Sequence, residues 1–466
     1  MRRDQRKLLL LNVAALSPWE LGDDTPRLSA LAARGSMRPM RAPDPALTCS
    51  SHATMVTGLD PHEHGVVANG WYDRAQGKIL NWGRSDRLVQ GEKLWETARR
   101  SRPTLRSGNL FWRYCTHSSC ELTLTERPTY FANGRKGADV YSSDHRFKAE
   151  CIKRFGPFPF FHFWGPKAQL ASSQWITDCA RYALHAQDLD LLLCYAPGLD
   201  YEVQRFGPKS QEARATLRAA DALFAPLIDE ALESEWDIAV VSDYGFTEVQ
   251  RPVALNVALR QAGLLTVDAA ANGELLEPGA SRAFAICDNQ AAHVYVADPV
   301  DLEEVERCLL AVDGVKEVIH TRGSAHLNHE RAGELLVVAE ADAWFTYRYW
   351  LDDRAAPDFA DCVDIFNKPG FDPCELFLKQ GFGGALHIAK RFAQLKLGIR
   401  APFDVIEAKP GLLRGARSIR PRRPEDEATL ITSWPLGEST DHSEDALPMR
   451  ALKGLLLDRL CGSSGA

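Results

Sequence analysis

A mostly parallel α/β sheet, wound on both faces by helices, is the fold class this sequence predicts, on three observations. Short, uninterrupted apolar runs recur at Leu8–Val13, Asp190–Tyr195 and Asp237–Ser242. Runs without polar alternation indicate strands covered on both faces. Helical stretches separate these runs, as doubly wound sheets require. The second and third runs end in polar residues, which is where open α/β sheets place their chemistry.

Taken in order, LLLLNV at Leu8–Val13 is read as the first buried strand. The preceding basic residues give the start a signal-peptide look, but the apolar run is short and lacks a small-residue cleavage site. Thr25 is expected to cap a helix over Pro26–Arg34 that Gly35 ends. Ser51–Thr57 reads as a short helix stopped by Gly58, and Gly91–Arg100 as another. Gln211–Leu232 is a long amphipathic helix, expected to kink or break at Pro226. Residues 66–185 are rich in aromatics and turns (NLFWRY, FPFFHFWGP) and are expected to form a cap insert. Residues 280–345 read strand, helix, strand, a small α+β subdomain. Residues 1–400 thus form the core unit with its inserts. Residues 401–466 are a Pro- and Arg-rich linker, a closing strand (TLITSW), a polar tail at Gly437–Asp445 and a last helix at Leu447–Leu460.

The 466 residues are enough for one large domain with a smaller companion. The net charge of -7 leaves no global basic field, so nucleic acid is not expected as a partner. No stretch is apolar for long enough to span a bilayer. The eleven cysteines contain no CxxC pair, which suits reduced thiols and a cytoplasmic protein. The sequence leaves oligomeric state open.

Chemistry centres on PALTCSSHATMVTGLDPHEHGVVANGWYD, residues 45–73. Thr48 has two readings. It or Ser50 is a helix cap, or its hydroxyl attacks a phosphorus beside a helix N-terminus that stabilises the anion. His52, one turn on, is either a base or a residue that holds a backbone carbonyl. His62 and His64 read as structural in the following turn. His293 reads as a strand residue, and His320, His326 and His329 as surface. The aromatic runs Phe158–Trp164 and Trp344–Trp350 read as core packing before pocket lining.

Thr48, His52, Thr57-Gly58, Pro61, His64-Gly65, Asn69 and Trp71-Tyr72-Asp73 together resemble the type I phosphodiesterase/nucleotide pyrophosphatase branch of the alkaline phosphatase superfamily. GEKLWETARR, NLFWRY and LNVALRQAGLL extend the resemblance over most of the chain. It implies an alkaline phosphatase-like three-layer sandwich with a threonine nucleophile at Thr48. It also implies two zinc ions roughly 4 Å apart, held by three aspartates and three histidines.

This sequence keeps two of those six ligands, Asp200 and Asp243. Ala14, Gln204, Tyr244 and Arg417 stand at the other four places, with Pro369 a weaker match for the last. Asp200, Asp243 and Thr48 offer oxygen only, which suits Mg²⁺ or Mn²⁺ better than Zn²⁺. The cofactor expectation is therefore a divalent metal (Zn, Mn or Mg), as one ion or none. Glu202, Asp364 and Asp372 are expected as possible substitute ligands. Arg417 and Lys368, with His52, are expected to bind the substrate, since arginine grips phosphate in a bidentate fork. The function implied is hydrolysis or transfer at a small phosphodiester, pyrophosphate or phosphomonoester. The alternative is a degenerate member that binds an anionic metabolite or performs new chemistry without hydrolysis.

Overall fold

Leu8, Leu9, Leu10 and Leu11 are all fully buried in the strand Lys7–Val13, at the centre of the fold. The computed structural model describes residues 6–132, 136–399, 401–421, 423–437 and 445–462. This strand pairs in parallel with Leu191–Ala196 on one side and Trp236–Val241 on the other. Leu9 and Leu11 pack with Ile176, Leu217 and Phe224 of one helical layer. Leu8 and Leu10 pack with Met55, Leu94 and Leu456 of the other. Covering both faces is what demands an unbroken apolar run. Burial of each leucine contributes about 1.5–3 kcal/mol. The result is the three-layer α/β sandwich that the sequence predicts.

Among the described residues, nine strands form this sheet. Beyond Leu191–Ala196 lie Ser107–Leu110 and Leu122–Glu126, both parallel, then Val140–Ser142, antiparallel. Beyond Trp236–Val241 lies Ala428–Thr432, antiparallel, then Ser36–Arg41 and the short Leu447–Pro448. Two domain expectations are corrected by this order. Residues 66–185 are not a cap, because they supply three strands of the main sheet. Residues 401–466 hold the expected closing strand, but Ala428–Thr432 is paired on both sides inside the sheet and buried along its length, so the segment is part of the core unit. Part of the expected polar tail, residues 438–444, lies outside the described residues. The subdomain does form, as antiparallel strands Ala283–Asp288, Ala291–Val296, Leu335–Ala339 and Val315–His320 with a helix at Leu302–Leu310.

Three helices differ in detail from the sequence reading, for local reasons. The helix Pro26–Arg34 keeps its expected bounds, with Thr25 at the N-cap and Gly35 at its end, but the Thr25 side chain makes no capping bond; the Asp221 carboxylate instead accepts from the Arg27 and Leu28 amides at 3.0 and 2.9 Å. The helix Gln211–Glu233 runs unbroken through Pro226. Its buried Leu217, Ala220, Phe224, Leu227 and Ile228 keep helical spacing on both sides of the proline, so packing holds it. The nucleophile-candidate helix starts at Thr48 and runs to Thr57, three residues earlier than expected. Ser50 points its hydroxyl at the carbonyls of Pro45 and Leu47.

A chain ended at residue 400 loses an internal strand and one helix of the second layer. It is expected to show no cooperative thermal transition by circular dichroism. A sharp transition like that of the full chain would refute this integral role.

Candidate functional site

The site forms where loops leave the C-terminal ends of the central strands. Asp200 lies in the helix Gly198–Phe206, directly after Leu191–Ala196. Asp243 and Tyr244 follow Trp236–Val241. Thr48 opens its helix, and Arg417 follows Gly415–Ala416, which pairs with Thr247–Glu248. Asp288 ends a subdomain strand. All of them are buried; Thr48 is 3% and Arg417 2% exposed.

Asp200 is surrounded by hydrogen-bond donors. Arg417 Nη1 reaches its Oδ1 at 3.1 Å, and the Tyr244 hydroxyl donates to the same oxygen at 3.2 Å. Gln204, one helical turn on, donates Nε2–H to Oδ2 at 2.5 Å. The Arg417 guanidinium lies over the Tyr244 ring at 4.5 Å and the Phe371 ring at 5.1 Å. Its Nε–H is buried without an acceptor among the described residues.

Thr48 Oγ1 is 3.1 Å from the Tyr244 hydroxyl. Tyr244 has one proton and gives it to Asp200, so Thr48 donates to the phenol oxygen. Thr48 is therefore neither a cap nor in contact with a base. Burial keeps Tyr244 a phenol, its pKa well above the usual value.

His52, expected at the substrate, has its Nε2 3.7 Å from Asp243 Oδ2, while Lys368, also expected there, is ion-paired elsewhere. His52 is fully buried between Trp112 and Tyr195. Its Nδ1 accepts from the Arg113 amide at 3.1 Å, so Nε2 carries the proton. Asn12 Nδ2 lies 2.8 Å from Nε2. Burial, then Arg113, holds the His52 pKa well below the usual value. His52 is thus a neutral packing residue that positions the nucleophile helix, with no lone pair free for a base or metal ligand. Lys368, 1% exposed, is ion-paired with Asp372 at 2.6 Å and Glu375 at 2.8 Å, and donates to the Cys362 carbonyl. It anchors the segment that lays Phe371 over Arg417.

Three carboxyls face the one guanidinium. Burial raises Asp243 to about 7 and Asp200 and Asp288 to about 6, while Arg417 pulls each back down. Burial also works against the Arg417 charge, but Tyr244 and these carboxylates hold its pKa above the usual value. Asp243 Oδ1 accepts weakly from the Ala15 amide at 3.4 Å, and its Oδ2 has no hydrogen-bond partner.

The residues do not fit a zinc pair. Among the described residues, the one group of three or more His, Cys, Asp or Glu side chains close enough to share an ion is Asp60, His62 and His326, which includes none of the site carboxylates. Asp200 is occupied by three N–H and O–H donors, one of them cationic. The expected substitutes are engaged too. Glu202 pairs with Arg205, Asp364 accepts from Asn367, and Asp372 holds Lys368. A cleft of about 1150 Å³ opens between core and subdomain, but Thr48, Asp200, Asp243 and Arg417 do not line it.

The sequence reading missed Asp288 as a member of the site. Its signal was an acid in a two-residue turn, CDNQ, between two apolar runs. Asn69 appeared only as a motif letter. Its Oδ1 accepts from the Cys49 amide at 2.9 Å and ties down the helix start. The aromatic runs pack as the sequence suggests. Phe158 lies against Phe111 and Trp175, and Trp164 donates to Glu375.

The sequence pattern of the type I phosphodiesterase/nucleotide pyrophosphatase family matches residues 8–372, and the chain belongs to that family. An uncharacterised pyrophosphatase/phosphodiesterase of Schizosaccharomyces pombe is 27% identical over 240 residues, 47% of this chain and 40% of that protein. Human ectonucleotide pyrophosphatase/phosphodiesterase family member 7 is 26% identical over 53% of this chain and 49% of its own. The matched part thus spans half or less of either relative. Two solved structures share the fold. Murine ectonucleotide pyrophosphatase/phosphodiesterase 5, an inactive form with AMP, superimposes with a TM-score of 0.59 at 14% identity, covering 99% of this chain and 96% of its own. The phosphonoacetate hydrolase of Sinorhizobium meliloti 1021, with phosphonoacetate, gives 0.61 at 13% identity, covering 98% and 96%. Family members typically depend on divalent metal.

Two predictions follow from the charges. Lys368→Met leaves two buried carboxylates without their cation and should destabilise the fold by about 3–5 kcal/mol in urea titration. A change below 1 kcal/mol would contradict the buried triad. Asp243 binds a proton more tightly folded than unfolded, so its contribution is lost as pH rises from about 4 to about 7. Asp243→Asn should therefore flatten the fall in melting temperature over that window. An unchanged slope would show that Asp243 is not the group titrating.

Proposed function

We propose that this chain recognises the phosphoryl end of a small phosphoester at the Thr48 pole through Arg417, without the two-metal chemistry of its family. The observation that carries this is Arg417 itself. A guanidinium paired with Asp200 stands where the family resemblance places a metal-ligating histidine. Its unused Nε–H is a donor for a ligand oxygen. The Tyr244 phenol that accepts the Thr48 hydrogen bond is too weak a base to remove its proton, so hydrolysis is slow or absent. The ligand class is a small phosphodiester, pyrophosphate or phosphomonoester, by analogy with the AMP and phosphonoacetate bound by the structural relatives. A cytoplasmic setting belongs to the same proposal, supported by eleven cysteines that are all free.

A second reading keeps hydrolysis with Thr48 as nucleophile and an altered metal set. Family membership and the place of Thr48 at a helix start favour it.

The two readings differ in their response to pH and metal. Three carboxyls oppose an anion and attract a cation. Inorganic phosphate should bind more tightly at pH 5.5 than at pH 8 by calorimetry, and Arg417→Met should abolish binding. Turnover of bis-4-nitrophenyl phosphate should stay at background with Zn²⁺, Mn²⁺ or Mg²⁺. Metal-dependent turnover that disappears in Thr48→Ala would overturn the proposal in favour of hydrolysis.

A further inference from the structure

Two histidines, His326 on the wall of the large cleft and His62 beside it in the fold, have no role in the Thr48 site. His62 lies in the one-turn helix Pro61–His64, just after the Thr48 helix. His326 lies in the subdomain loop between Val315–His320 and Leu335–Ala339. Their rings are 6.0 Å apart, centre to centre. With Asp60 they form the one group, among the described residues, whose ligand atoms converge, all within 4.8 Å of one another.

The surrounding histidines set these two apart. His64 accepts from the Val66 amide at Nδ1 and meets Thr54 at Nε2. His329 accepts from the Arg331 amide at Nδ1. His62, by contrast, has a buried Nδ1 with no hydrogen-bond partner among the described residues. A buried imidazole nitrogen without a partner is unfavourable unless something coordinates it.

We propose that Asp60, His62 and His326 bind a single transition-metal ion, with zinc the natural occupant. Two imidazoles and one carboxylate suit Zn²⁺ and disfavour Mg²⁺ and Ca²⁺, which take oxygen ligands. Three protein ligands leave a fourth tetrahedral position for water or a ligand group. Asp60 and His326 both line the cleft, so an ion here faces that space. It would also pin the subdomain to the segment after the Thr48 helix. Arg450 holds one oxygen of Asp60 at 3.0 Å and competes with the ion for that carboxylate.

The test uses the full, untagged chain, freed of metal, and titrates it with Zn²⁺ and with Co²⁺. One equivalent should bind, with the visible absorption of tetrahedral Co²⁺. His326→Gln and His62→Gln should each weaken binding at least tenfold. His326 is exposed, so its replacement should leave the metal-free melting temperature unchanged. Arg450→Gln should strengthen binding. Asp243→Asn and Asp200→Asn should leave it unchanged. Absence of binding would overturn the proposal. So would binding that survives both histidine replacements, or binding lost with Asp243 or Asp200.

Discussion

The buried pair of Arg417 and Asp200 is the constraint on which the rest of the site depends. Asp200, Asp243 and Asp288 place three carboxyls in one buried space, and such a cluster is stable only with positive charge or protons. Members of this family typically supply the charge with divalent metal. Here a guanidinium faces the carboxyls, held between Asp200 and two aromatic rings. The other substitutions fit that change. A histidine ligand gives a lone pair to a metal. Gln204, Tyr244 and Arg417, at three of the expected histidine places, instead give N–H or O–H protons to Asp200. Three separate departures from the family pattern thus have one physical meaning.

The same exchange alters Thr48. The Tyr244 phenol accepts the threonine proton and gives its own to Asp200, so the hydroxyl faces a weak acceptor. Phe371 closes over the guanidinium, on a segment anchored by Lys368 between Asp372 and Glu375. A ligand reaching Arg417 must displace that segment or enter along the loops beside it. Lys368, expected to touch substrate, acts instead through the position of Phe371.

Much of the fold was legible in the sequence because both-face burial leaves a plain mark. LLLLNV, LLLCYA and DIAVV could be little else than central strands. Ala428–Thr432 was legible as a strand but not as an interior one, because its place depends on pairing with Trp236–Val241 across nearly two hundred residues. Ser107–Leu110 was hidden by its glycine and polar residues, so residues 66–185 read as an insert. At the site, Thr48, Asp200, Asp243 and Arg417 could be named from spacing and resemblance. His52 could not be assigned, because its role rests on the Arg113 amide, which no local pattern reveals. Asp60, His62 and His326 come together only through the docking of the subdomain, so their spacing carried no signal.

The most direct test is an anomalous-difference map from crystals soaked in Zn²⁺ near neutral pH. The predicted map has no peak between Asp200 and Asp243, with Arg417 still on Asp200. A peak in that space, with the Arg417 guanidinium displaced from the carboxylate, would contradict the replacement of metal by arginine.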